Sequence, residues 1–171
     1  MSDQFCGLWL LRAFVQTHVE IIIGQVHLTV ANLDRSLAFY CDLIGLQKGE
    51  SAGDVIVLVP KTHPLIVLNP PHQKLVQSLP EGHTGFFHFS FLYPHRKELA
   101  RIVKRFIDAV YDIEYALDHG IVEAVYLRDP DGIPVELYVE CSPENRSRNE
   151  SELARAVSTP IDLESLLLEL K

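Results

Sequence analysis

The sequence predicts an α+β fold of two βαβββ modules, whose strands form a curved mixed sheet that opens as a barrel-like cup with the helices outside. Two internal repeats carry this prediction. Val26-His27-Leu28-Thr29-Val30 matches Phe87-His88-Phe89-Ser90-Phe91 position by position, as apolar, histidine, apolar, hydroxyl, apolar. VIVLVPKTHPLIVL, residues 55–68, lies without gaps on VYLRDPDGIPVELY, residues 125–138, with Pro60 on Pro130, Pro64 on Pro134 and Ile66 on Glu136. The unit is a strand, a helix and about three further strands. It runs over about residues 22–70 and again over about 84–141, which gives eight strands and two main helices. A length of 171 residues with 47% apolar and 22% charged content suits one domain with a real core.

Residues 1–21 form an N-terminal extension. Its apolar run is broken by Arg12, His18 and Glu20, short of the roughly 18 clean residues a membrane span needs. The opening MSDQF has no basic stretch and no small-residue cleavage site follows, which argues against a secretory signal. A short helix resting Leu8, Leu11 and Val15 on the body is expected instead. Period-two alternation makes Val26–Val30 a strand. Leu33 to Ile44 reads as a helix, capped by Asn32 or Asp34 and stopped by Gly45. Residues 55–68 are a hairpin, and the loop from Pro70 to Thr84, with His72 and His83, is placed to cover the cup. Phe87–Phe91 repeats the strand and His95–Val110 the helix, on which Arg101, Lys104 and Arg105 make a solvated face. Asp129-Pro130-Asp131-Gly132 is a strong turn signal for the second hairpin. Residues 142–171 are a polar linker, SPENRSRNES, and then a short amphipathic helix with Leu163, Leu166, Leu167 and Leu170 at helical spacing. Thr159-Pro160-Ile161-Asp162 reads as its N-cap with proline at the first helical position.

Fifteen basic against 23 acidic residues give a net charge of −8, which argues against a nucleic-acid backbone or an anionic membrane as partner and favours a small molecule. Cys6, Cys41 and Cys141 are odd in number and far apart, so neither a disulfide framework nor a thiolate metal site is suggested, and a reducing cytoplasm fits.

Residues two apart on a strand share a side. Val26, Leu28 and Val30, with Phe87, Phe89 and Phe91, should pack on the helices, while His27, Thr29, His88 and Ser90 point the other way. On the closing strand Val135, Leu137 and Val139 take the helix side, which leaves Glu136 and Tyr138 with the histidines. Two neutral imidazoles and a carboxylate, His27, His88 and Glu136, suit Fe(II), Mn(II), Zn or Ni. The repeat puts Ile66 at the fourth corner, so three protein ligands would leave positions open for substrate and for water or dioxygen.

HLTVANLDRSLAFYCDLIGL, GFFHFSF and EAVYLRDPDGIPVELY together resemble the vicinal oxygen chelate superfamily over about residues 22–140. That superfamily includes glyoxalase I, methylmalonyl-CoA epimerase, fosfomycin- and bleomycin-resistance proteins and extradiol ring-cleaving dioxygenases. The chain looks most similar to the N-terminal half of catechol 2,3-dioxygenases of a bacterial two-domain type. STPIDLESLLLEL, residues 158–170, resembles the stretch that follows the first domain there. The resemblance implies a divalent metal, Fe(II) or Mn(II) first and Zn or Ni as alternatives, at His27, His88 and Glu136, and a small catecholic substrate. It also implies that Tyr126, ten residues before the metal glutamate, touches the substrate region and that His119 in the preceding turn acts as a base. A homodimer is the expected assembly. Two other readings stay open: a metal-dependent lyase, isomerase or thiol transferase of the glyoxalase or fosfomycin-resistance kind, and a metal-free protein that holds an aromatic ligand. The presence of all three ligand residues counts against the last.

Overall fold

The computed structural model describes residues 25–59, 66–70, 87–141 and 158–171. The helix expected around Leu8, the covering loop with His72 and His83, the turn of the first hairpin and the 142–151 linker lie outside the described residues.

Both modules repeat one topology. In the first, β1 (Val26–Thr29), β2 (Gln47–Ala52), β3 (Val55–Val59) and β4 (Ile66–Asn69) form a sheet of order β1-β4-β3-β2. In the second, β5 (Phe89–Tyr93), β6 (Tyr115–Asp118), β7 (Val122–Arg128) and β8 (Pro134–Glu140) are ordered β5-β8-β7-β6. A two-residue β9 (Thr159–Pro160) extends the second sheet beyond β6, one strand more than the eight expected. In each module the first and last main strands pair in parallel and the rest antiparallel, so both sheets are mixed. Among the described residues they remain two sheets, of four and five strands, with no closed barrel.

Helix α1 (Leu33–Leu37) starts where the Asn32 side chain accepts the Arg35 N–H at 2.9 Å, so Asn32 and not Asp34 is the cap. It runs on as a wider π-helical turn, Ala38–Leu43, in which the adjacent Phe39 and Tyr40 are both buried. Gly45, at φ 95°, takes the left-handed conformation that stops it. Helix α2 (Arg96–Asp108) buries Leu99, Ala100, Ile102, Val103 and Phe106, the inward stripe of an amphipathic helix. Arg101 and Lys104 stay in solvent, paired with Glu98 and Asp108 along the helix. Arg96, at the start of the same helix, lies 2.6 Å from Glu123 of β7 and 2.8 Å from Glu169 near the C-terminus.

One core joins the modules. The Phe39 ring packs edge-on to Phe106 at 5.7 Å and lies 5.4 Å from Tyr111. The second module's DPDG turn is part of the same seam. Tyr40 donates from its hydroxyl to Asp129 Oδ2 at 2.8 Å, and Asp131 takes the Ala31 N–H and pairs with Arg35. Asp129 also accepts the backbone N–H groups of Asp131 at 2.9 Å and Ile133 at 2.8 Å, while Gly132 supplies the positive φ of 86° that the turn needs.

Three expectations are corrected. Phe87 does not pack on the helices: it is 83% exposed and rests on the His88 ring at 4.6 Å, because the ladder that enforces alternation begins only at Phe89. Ile66 is not a corner of the cup. It is 1% exposed within the core, since it shares its side of β4 with Leu68. Relative to the histidine strands, Asn69 holds the place of Glu136, for it stands opposite Thr29 as Glu136 stands opposite Ser90. Finally, Thr159-Pro160 is strand and not a helix start. The Ile161 N–H goes to Ala116 O at 3.0 Å, and Asp162 caps α3 (Leu163–Leu167) by accepting the Glu164 N–H at 3.1 Å. Leu166 of α3 is fully buried, as the spacing predicted.

Candidate metal centre

Four of the five candidate side chains belong to the second module. On the antiparallel and parallel ladders of β8, Glu136 stands opposite Tyr126 of β7 on one side and Ser90 of β5 on the other. Period two sends all three away from the core. Both carboxylate oxygens of Glu136 are engaged: Tyr126 donates its hydroxyl to Oε1 at 2.6 Å and Ser90 donates to Oε2 at 2.5 Å. His88, one residue before β5, places Nε2 3.4 Å from the same Oε2. His119 lies one step further out, with Nε2 3.1 Å from the Tyr126 hydroxyl and Nδ1 2.8 Å from Ser158 Oγ. The turn that carries it is fixed by its own N–H to Val122 O at 2.9 Å and by the Gly120 N–H to Asp118 Oδ1 at 2.6 Å.

Burial, then the hydrogen bond to and charge of Glu136, hold the Tyr126 phenol well above the ordinary tyrosine range, so it remains a hydroxyl. Its ring is stacked on Tyr115 at 4.6 Å. These contacts fix a hydrogen-bond donor on the carboxylate, as partners outside a ligand shell do.

A divalent ion with bonds of about 2.0–2.2 Å holds neighbouring donors about 3 Å apart, and His88 and Glu136 at 3.4 Å suit two such positions. His27 is exposed on β1, on the side of its sheet away from the core, next to Val67. Among the described residues no three His, Cys, Asp or Glu side chains stand together as a metal cluster, so the chain brings His88 and Glu136 together but not His27. A mostly apolar cavity of about 500 Å³ lies elsewhere, on the seam between Phe39, Tyr111 and Pro130. Ser90 was legible only as a residue on the histidines' side. Ser158 was not legible at all, since nothing in the sequence links it to a histidine 39 residues away.

Fold and site together define a two-module βαβββ protein whose second sheet presents a hydrogen-bonded histidine–glutamate pair. Residues 22–137 match the family profile described as the Glyoxalase/Bleomycin resistance protein/Dioxygenase superfamily, and the chain belongs to that family, the vicinal oxygen chelate proteins. It is 32% identical over 161 residues to a catechol-2,3-dioxygenase of Bacillus subtilis (strain 168), a match covering 89% of this chain and 53% of the relative. The chain thus spans about half the length of that curated relative. Among solved structures it is similar to lactoylglutathione lyase from Agrobacterium tumefaciens, at 25% identity and TM-score 0.53 over 69% of this chain and 92% of that one. A glyoxylase/bleomycin resistance protein/dioxygenase domain from Frankia sp. EAN1pec shares the fold, with 18% identity and TM-score 0.60 over 75% of this chain and 97% of that one. No described helix is long and apolar enough to cross a membrane.

Proposed function

We propose that this protein is a metal-dependent oxidoreductase of the extradiol dioxygenase kind, acting as a homodimer on a small catecholic substrate in the cytoplasm. The observation that carries the reading is the arrangement around Glu136, a carboxylate 3.4 Å from an imidazole and held by a tyrosine hydroxyl with a second histidine behind it. The 32% identity to a catechol-2,3-dioxygenase over 89% of the chain supports the substrate class. His88 and Glu136 would hold the divalent ion, Fe(II) or Mn(II); His27, which stands apart from them in this structure, would have to be drawn in by the ion to serve as the third ligand. The bound metal would supply Lewis acidity that lowers the pKa of a catechol hydroxyl and keeps the reactants in contact. Tyr126 presents its proton at Oε1 of Glu136 and keeps that oxygen from turning away. His119 acts through Tyr126 and so positions it.

The direct test is elemental analysis of protein purified without air, for the wild type and His88→Ala, followed by oxygen uptake with a panel of catechols. About one iron or manganese per chain, lost in the variant, with catechol-dependent oxygen consumption supports the proposal. The similarity to a lactoylglutathione lyase favours the alternative, a metal-dependent lyase or thiol transferase. Zinc or nickel with no oxygen uptake would select it, and no metal at all would leave a small-molecule binding protein.

A further inference from the structure

We infer that Ser158, from the C-terminal segment, is a positioning residue that holds the His119 ring against the Tyr126 hydroxyl, and so keeps it in the one tautomer that the bond from Tyr126 to Glu136 allows. The inference rests on the reading of Glu136 as a metal ligand only in its functional consequence; the hydrogen-bond logic stands on the described geometry.

The Tyr126 hydroxyl donates to Glu136 Oε1 at 2.6 Å, so its one proton is committed there. Its oxygen is then free to accept, and the group facing it at 3.1 Å is His119 Nε2, which must carry the ring proton. In the neutral imidazole that leaves Nδ1 as the acceptor, and the hydroxyl of Ser158 sits 2.8 Å from it. The protons of Ser158, His119 and Tyr126 all point inward, one after another, toward the carboxylate. The backbone at His119 is already tied to Val122, so the remaining freedom is rotation of the ring. Bonds to both of its nitrogens remove that freedom.

Ser158 can do this because its segment is anchored. Asp118 pairs with Thr159 and Leu117 with Pro160, the Ile161 N–H reaches Ala116 O, and Leu166 is fully buried in the core. Glu169 adds an ion pair to Arg96 at the start of α2. The outermost strand of the sheet therefore reaches the candidate site through one serine, and residues 158–171 belong to the working parts of the module.

The test is nuclear magnetic resonance of the full chain carrying isotope-labelled histidine, after chelation of any paramagnetic ion, with His119→Gln used to assign the His119 signals. Long-range proton–nitrogen correlations report which ring nitrogen bears the proton. The wild type should show a single neutral ring protonated at Nε2, Ser158→Ala a mixture of tautomers, and Ser158→Thr, which keeps the hydroxyl, the wild-type pattern. Protonation at Nδ1 in the wild type, or an unchanged pattern in Ser158→Ala, would overturn the inference. These signals need neither metal nor substrate, so failure of the dioxygenase reading shows separately, as absent oxygen uptake in a protein whose tautomer is as described.

Discussion

At the scale of single residues, two positions stand out for opposite reasons. Val110 follows α2 with φ 53° and is 92% exposed, while its N–H goes to Ile107 O and that of Tyr111 to Phe106 O. The helix ends in the left-handed conformation that glycine favours, but a β-branched side chain occupies it, at a cost of about 1–2 kcal/mol. Val110→Gly should therefore raise the unfolding free energy by roughly 0.5–1 kcal/mol once the extra freedom of glycine in the unfolded chain is subtracted. Urea denaturation measures this, and a lower midpoint with unchanged slope would contradict it. Tyr126 makes the opposite kind of contribution, to the proposed metal ligand Glu136 and not to the backbone. Tyr126→Phe should leave the fold intact and weaken metal binding about 10–100-fold, as loss of a ligand's hydrogen-bond partner does. Competition against a coloured chelator reads the change, and equal affinity in the two proteins would remove Tyr126 from the site.

At the scale of elements, the second hairpin's turn does more than reverse the chain. Burial raises the Asp129 carboxyl above its ordinary range, against the N–H of Ile133, the Tyr40 hydroxyl and the N–H of Asp131, which favour the ionised form. The folded state then holds that proton more tightly than the unfolded one. Its contribution to stability is complete below the unfolded pKa and is lost as pH rises through the higher folded value. Asp129→Asn cannot ionise, so the stability of the wild type relative to this variant should fall as pH rises out of the ordinary carboxylate range. A difference that stays flat with pH would show that burial is fully offset by the three donors. α3 gives a simpler expectation: Leu166→Ala, at a fully buried position, should cost about 2–5 kcal/mol by thermal or chemical denaturation. The elements legible in the sequence were those with a period or a turn signal. β1, β5, both hairpins and α2 were set by alternation, by DPDG and by helical spacing. The start of α3 was misread because a threonine–proline pair satisfies a helix-cap pattern and an edge strand equally well, and the bond from Ile161 to Ala116 that decides between them is tertiary.

At the scale of the molecule, the shared core makes the two modules one folding unit. Phe106→Ala opens the contact with Phe39 and Tyr111 and should cost about 3–5 kcal/mol. Secondary structure and tyrosine signals should still be lost in one coincident transition. Two separate transitions would show modules that fold alone. The site at this scale was only partly legible. Matching strands showed which side His88, Ser90 and Glu136 occupy, yet a gapless repeat could not reveal the register of β4 against β1, so Asn69 was hidden behind Ile66. The five-stranded sheet also has unequal rims. At β9 the Ile161 N–H turns inward to Ala116, so the neighbouring outward position falls to Pro160, which has no N–H to offer. At that position the rim has no donor for an added strand. Among the described residues the opposite rim, β5, pairs only with β8 and leaves Leu92 exposed. Among the described residues the two rims of this sheet therefore differ in kind: one presents a proline where a donor would stand, and the other is the strand that follows directly on His88.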